Sequence, residues 1–319
     1  MVNDEPHYEA PLGALAPEQR KVLAECGPRW GDDINGNRQK VVDFYTPVLA
    51  RASKGHVSVQ RDVSYGPHPR HVMDIFLPGP ESVDSPPGSA GRDAVVFVHG
   101  GAFVRGQKSV NGEIYDNVCY WFARQGLVAF NVEYRLAGEG PYPGGAEDVR
   151  DALASIHRQA AVLGFDPARV FLIGHSAGGS HAAACLLDPA VASRADGPPV
   201  AGLVLISGRL VADVRPGNPN AGPVRAYFGD DTSLYAQRSP LSHVACSGVP
   251  LMIAVAEYEN PYLDEYGAMF FLEALRHRGV PPRFIQMRGH NHTSIVAHFN
   301  SGEDYLGREI LHFFASVSR

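Results

Sequence analysis

The chain has 319 residues, 45% hydrophobic and 19% charged, the composition of a globular protein with a sizeable buried core. Its 28 basic and 34 acidic residues give a formal net charge of −6 and a pI near 6.1, which leaves no basic footprint for nucleic acid. Four cysteines, Cys26, Cys119, Cys185 and Cys246, are scattered without CxxC or metal-ligand spacing and read as buried free thiols. No apolar stretch approaches the roughly 20 residues of a membrane span. The segment Met1–His7 carries neither the basic nor the apolar region of a secretory signal, so a cytoplasmic location is expected.

Taken in chain order, residues 1–50 hold helical stretches, Glu18–Glu25 and Arg38–Tyr45, and no strand alternation. They form an N-terminal arm that is either a cap over a site or a packing element. Period-two alternation begins at His56–Ser64 and continues in Val72–Leu77, two antiparallel-type strands suited to a sheet edge. Residues 78–93, rich in Pro, Gly and Ser, make a surface loop. Strands then alternate with helices. The strands are 94–98, 127–132, 169–174, 202–206, 250–256 and 282–287; the helices lie near 112–125, 145–163, 177–187, 263–279 and 303–316. Such alternation predicts an α/β domain over 51–319, a mostly parallel sheet with helices on both faces. Residues 207–248 interrupt it with Pro216, Pro219, Pro223 and Pro240 and the aromatics Tyr227, Phe228 and Tyr235, and are a candidate lid.

Two motifs carry chemistry. Gly174-His175-Ser176-Ala177-Gly178 joins a predicted strand to a small-residue helix, and its flanking glycines permit a turn tight enough to lift the Ser176 hydroxyl clear of the backbone. His99-Gly100-Gly101-Ala102-Phe103 follows the apolar run 94–98, and a Gly-rich loop at a strand end offers backbone N–H groups to an oxyanion. With EYRLA at 133–137, the PxxxxED stretch at 143–148 and GHNH at 289–292, the chain resembles the α/β-hydrolase superfamily, in its carboxylesterase and hormone-sensitive-lipase-like branch. The resemblance runs from about Val57 to the C-terminus. Ala102 stands where the branch usually has a third glycine, and still offers an N–H.

A serine hydroxyl needs a base to take its proton, and the base needs an acid to fix its tautomer. The resemblance implies the order Ser, Asp/Glu, His. The G-x-x-H pattern picks His292, with His290 as competitor and His298 farther on. After the strand 250–256, alignment of Glu257-Tyr258 with the family's EY puts Glu259 where an aspartate is usual; Glu257 and Asp264 compete. The expected site is therefore Ser176, His292 and Glu259, with the N–H groups of Gly101, Ala102 and Ala177 as oxyanion hole, and no cofactor or metal. His99 is expected to orient the oxyanion loop, Tyr134 and Arg135 to brace loops, and Asp148 and Asp151 to serve a helix dipole. The implied activity is a serine carboxylesterase forming an acyl-enzyme on a small-molecule ester. An arylformamidase-like amide hydrolase with the same triad is the alternative. A non-catalytic receptor would lack the histidine, and each triad position here has a candidate. Oligomeric state is not legible.

Overall fold

The computed structural model describes residues 15–79, 91–192 and 199–317. Expectations that fall on 1–14 and 80–90, part of the arm and of the Pro/Gly/Ser-rich loop, lie outside the described residues. The core is an eight-stranded sheet: β1 Ser58–Ser64, β2 Val72–Leu77, β3 Arg92–Val98, β4 Val128–Val132, β5 Phe165–His175, β6 Gly202–Ile206, β7 Leu251–Tyr258 and β8 Arg283–Asn291. Their spatial order is β1-β2-β4-β3-β5-β6-β7-β8. β1 pairs antiparallel with β2 and β2 with β4; every later pairing is parallel. The two early strands thus take the edge expected of them.

The central strands are apolar on both faces because both are covered. Val95, Phe97, Phe171, Ile173, Val204 and Ile206 point into one layer with the helices Asp116–Arg124 and Tyr305–Ser316. The intervening Val96, Val98, Leu172, Leu203 and Leu205 point into the other, against Gly144–Arg158, Ala177–Leu187 and Leu263–Arg278. Alternate residues of one strand therefore serve two cores. The arm belongs to the first layer. Its helices Pro17–Cys26 and Ile34–Arg51 bury Leu23, Val41, Tyr45 and Leu49 there.

The topology makes a crevice. β3 lies between β4 and β5, so the chain leaves β3 toward one neighbour and returns on the other side, and the loops at the carboxyl ends of β3 and β5 diverge. Register sets them level, since Val98 pairs with Gly174. The residues that follow, His99–Ala102 and His175–Ala177, accordingly face each other at one end of the sheet.

The insertion 207–248 folds into short helical pieces, including Ala221–Phe228 and Tyr235–Arg238. Its aromatics are core. Tyr227 stacks on Phe103 with ring centroids 4.6 Å apart, and Phe228 meets Phe103 edge-on at 5.3 Å. With Ala137, Ala177 and Tyr235 they form a third apolar cluster behind the Gly-rich loop.

Candidate active site

Ser176 sits at the junction of β5 and the helix Ala177–Leu187, with φ +55° and ψ −118°. That conformation is strained for a non-glycine residue by about 1–3 kcal/mol. It persists because its surroundings determine it. The Ser176 N–H donates to the Ile206 carbonyl at 3.0 Å, and the Ser176 carbonyl accepts from Gly179 and Arg209, each at 3.0 Å. Close approach explains the flanking glycines. A Cβ on Gly178 would overlap the carbonyls of Val98 and His99, and one on Gly174 would lie 2.7 Å from the Gly179 Cα.

His292 reaches Ser176 from the end of β8. Its Nε2 lies 3.0 Å from Ser176 Oγ, and its Nδ1 lies 2.7 Å from Glu259 Oε2. β8 runs four residues past the expected end at 287, because Asn291 pairs with Tyr258 beyond a bulge and the His292 N–H donates to the Tyr258 carbonyl at 3.1 Å. The extension ties the His292 and Glu259 loops together. Glu259 is held in turn: Oε1 accepts from Ser207 Oγ and from the Ala256 N–H at 2.8 Å, and Oε2 accepts from the Asn260 N–H at 3.3 Å. Its side chain is 2% exposed. A buried carboxylate with this many donors is fixed as an acceptor.

The competitors are occupied elsewhere. Glu257 is exposed and accepts the Gly289 N–H at 2.6 Å, joining the ends of β7 and β8. Asp264 is exposed in the first turn of Leu263–Arg278. His290 points away from the serine, with Nδ1 3.1 Å from Ser294 Oγ and Nε2 3.1 Å from Glu303 Oε1. The side-chain donors of His290, His298 and Glu303 lie within 4.8 Å of one another, a buried cluster of metal-ligating type set apart from Ser176.

Gly101 and Ala102 arch beside the serine. Ala102 has φ +51° and Phe103 φ +69°, so the loop holds two non-glycine residues in the left-handed region. A Cβ on Gly101 would overlap the Arg105 carbonyl. Among the described residues, no group accepts from the N–H of Gly101, Ala102 or Ala177.

His99, expected to orient the oxyanion loop, contacts it: its Nδ1 is 2.7 Å from the Gly100 carbonyl. Its partner is Glu133, whose carboxylate also receives Arg70 Nη2 at 2.5 Å and the Lys108 N–H at 2.9 Å. Burial opposes that charge, but the hydrogen bonds from His99 and Lys108, with the charges of His99 and Arg70, hold Glu133 below the usual carboxylate range. Asp148 departs from expectation. It lies in the helix Gly144–Arg158, yet it is fully buried and clamps Arg135, whose backbone N–H it accepts at 2.8 Å and whose Nη2 at 2.6 Å, together with His71 Nε2 at 3.1 Å. Asp151 is exposed beside Arg150. His175 donates Nε2–H to the His292 carbonyl at 3.1 Å, linking the serine's turn to the His292 loop. Burial, then the neighbouring His292, push His175 well below its ordinary range, so it is neutral.

The cleft above Ser176 encloses about 840 Å³, its open mouth included, and Trp30, Ile34, Asn35, Arg38 and Val42 of the arm line it. Trp30 donates its indole N–H to Asn260 Oδ1 at 2.9 Å. From the insertion, Arg209 and Asn220 reach the cleft.

A family model described as the alpha/beta hydrolase fold matches residues 95–296, more than half of the chain. The chain belongs to that family. Among curated proteins it is similar to a probable isoprenylcysteine alpha-carbonyl methylesterase of Oryza sativa subsp. japonica, 30% identical over 139 residues, 44% of this chain and 30% of that protein. It is also similar to an ethyl acetate hydrolase of Pseudomonas putida, 32% identical over 120 residues, 37% of this chain and 36% of that one. The match thus spans only about a third of these relatives' length. Among solved structures, a bacterial heroin esterase shares the fold with a TM-score of 0.67 at 23% identity, covering 93% of this chain and 96% of that one. Among the described residues no helix is long and apolar enough to cross a membrane.

Proposed function

We propose that the protein is a carboxylic ester hydrolase that works through a serine acyl-enzyme. One observation carries this: an unbroken hydrogen-bonded series from Ser176 Oγ through His292 to Glu259, at 3.0 and 2.7 Å. In this reading Ser176 attacks the ester carbonyl while His292 Nε2 takes its proton. Glu259 keeps the proton on Nδ1 and stabilises the imidazolium. The N–H groups of Gly101, Ala102 and Ala177 receive the oxyanion, and the dipole of the helix Ala177–Leu187 favours the same charge. His292 then protonates the departing alkoxide. Water, deprotonated by the same base, releases the acid and frees Ser176.

The named relatives support ester chemistry, since two of them are called a methylesterase and an ethyl acetate hydrolase. The arm acts as the cap in this reading, because its side chains line the cleft, whereas the insertion braces the Gly-rich loop from behind. The test is p-nitrophenyl acetate turnover with a pre-steady-state burst of p-nitrophenol equal to the enzyme present, and covalent labelling of Ser176 by a fluorophosphonate. Absence of both in folded protein overturns the reading. Faster turnover of anilides than of matched esters would move it to amide hydrolysis.

A further inference from the structure

The ester chemistry just described makes no use of the cleft's charge. Among the described residues three cationic side chains line it, Arg38 from the arm, Arg105 from the Gly-rich loop and Arg209 from just beyond β6, and no carboxylate of those residues lines it with them. Arg38 and Arg105 are exposed at the mouth. Arg209 differs. It is 2% exposed, and neither Nη1 nor Nη2 has a hydrogen-bond partner.

A buried guanidinium with bare donors is unfavourable unless something completes it. Among the described residues none does. Two acidic groups feel its charge, Asp213 and Glu259. Asp213 is engaged by the Tyr266 hydroxyl, Arg215 and Asn218, and Glu259 by His292, Ser207 and two amides. The Tyr266 ring, 5.8 Å away, offers a distant cation–π contact and no acceptor. Burial lowers Arg209 from its ordinary range to about 10, so it remains charged at neutral pH. Its position is also fixed, because its N–H donates to the Ser176 carbonyl at 3.0 Å and its carbonyl accepts from Ser180 Oγ. The backbone of Arg209 is therefore fixed beside the nucleophile, and the residue lines the same cleft as Ser176.

We propose that Arg209 is a specificity residue that binds a carboxylate on the substrate, so that the preferred esters are half-esters of dicarboxylic acids or esters of hydroxy acids. Two bare nitrogens match the two coplanar oxygens of a carboxylate, the bidentate geometry in which arginine excels. Arg38 and Arg105 attract the anion at the mouth, inside a molecule whose net charge is −6. The proposal rests on the reading of the cleft as an esterase site and adds its substrate class.

The experiment compares kcat/KM for charged and neutral partners of the same shape: monoethyl succinate against ethyl succinamate, and acetoxyacetate against acetoxyacetamide. The wild-type protein should favour the acid in at least one pair by roughly ten- to a hundred-fold, the scale of a charge-assisted bidentate pair. Arg209→Gln and Arg209→Met should bring that ratio close to one, Arg209→Lys should keep part of it, and added salt should lower it. A wild-type ratio of one or less in both pairs overturns the proposal. So does an unchanged ratio in folded Arg209→Gln, the result expected if Arg209 only steadied Glu259, since charged and neutral esters would then slow equally. If the Arg209 variants do not fold, Arg38→Gln, at an exposed position, decides: its ratio and salt dependence should fall together, and no change in either overturns the proposal. Failure of wild-type protein to turn over p-nitrophenyl acetate or any of the four esters would instead remove the esterase reading. Glutarate binding to Ser176→Ala, followed by calorimetry, would then test the carboxylate site alone: binding abolished by Arg209→Gln supports it, and no binding overturns it.

Discussion

Ser176 is held against its own conformational preference, and this gives two expectations that differ in sign. Ser176→Ala keeps the Cβ in its strained place, so the fold and melting temperature should change little while fluorophosphonate labelling disappears. Ser176→Gly removes the strained Cβ and should raise stability by up to about 1–2 kcal/mol, again without turnover. A destabilised Ser176→Gly protein would show that the turn is not a reservoir of strain. The acid makes a second contrast. Glu259→Gln leaves base and nucleophile in place but lets the imidazole adopt the wrong tautomer, and kcat should fall by roughly four orders of magnitude, the size of the corresponding change in another triad enzyme. Glu257→Gln, whose amide oxygen can still accept the exposed Gly289 N–H, should keep most of its kcat. A dead, well-folded Glu257→Gln would reverse the two roles.

At the scale of elements, the Gly-rich loop and the arm act differently. Gly101 has no room for a side chain against the Arg105 carbonyl, so Gly101→Val must displace the loop and with it two amides. Each donor lost from an oxyanion hole costs about 2.7–4 kcal/mol of transition-state stabilisation. The expected result is a fall in kcat with the fold intact by circular dichroism; unchanged kcat would take the loop out of the mechanism. Trp30→Phe keeps the arm's apolar contact but deletes its bond to Asn260. It should cost about 1 kcal/mol in stability and alter the acyl-chain preference, which a chain-length series from acetyl to octanoyl reads directly. An identical profile would make the arm a packing element only. Why the elements were legible is plain from β3 and β5: both are apolar on two faces, bounded by turn residues and followed by glycines that the crevice requires. The insertion was less so. Tyr227 and Phe228 look like a lid's aromatics in one dimension, and only the fold puts Phe103 beneath them.

At the scale of the molecule, three of the buried histidines among the described residues, His175, His181 and His298, stay neutral. Burial holds His175 well below its ordinary value, and lowers His181 to about 3 and His298 to about 4. The unfolded chain takes up their protons below roughly pH 6.5, whereas the folded protein does not. Stability is therefore full above that pH and is lost as pH falls toward the folded values, by roughly 1.4 kcal/mol per histidine per pH unit. Melting temperature should drop steeply between pH 6.5 and 5, and His181→Leu should flatten that slope whatever its absolute stability. An equal slope in the variant would exclude His181 from the effect. These histidines also mark where sequence reasoning stopped. Fourteen histidines look alike as letters. The G-x-x-H spacing picks out His292, but nothing local reveals that His175 holds the His292 loop, that Glu133 receives His99, or that Asp148 clamps Arg135. Those partners lie 13 to 117 positions apart in the chain, so their pairing is a property of the topology.

The bond from Trp30 to Asn260 connects the roof of the cleft to the residue after Glu259. In the proposed mechanism, entrance and proton relay are therefore joined by a hydrogen bond. A short ester that fits wholly under the indole is processed with that latch closed and Glu259 fully braced. In the esterase reading, a longer one is expected to break that bond during the chemical step. Size discrimination in such an enzyme shows itself as a gradual slowing of kcat with chain length, while KM, which gains from each added methylene, continues to fall.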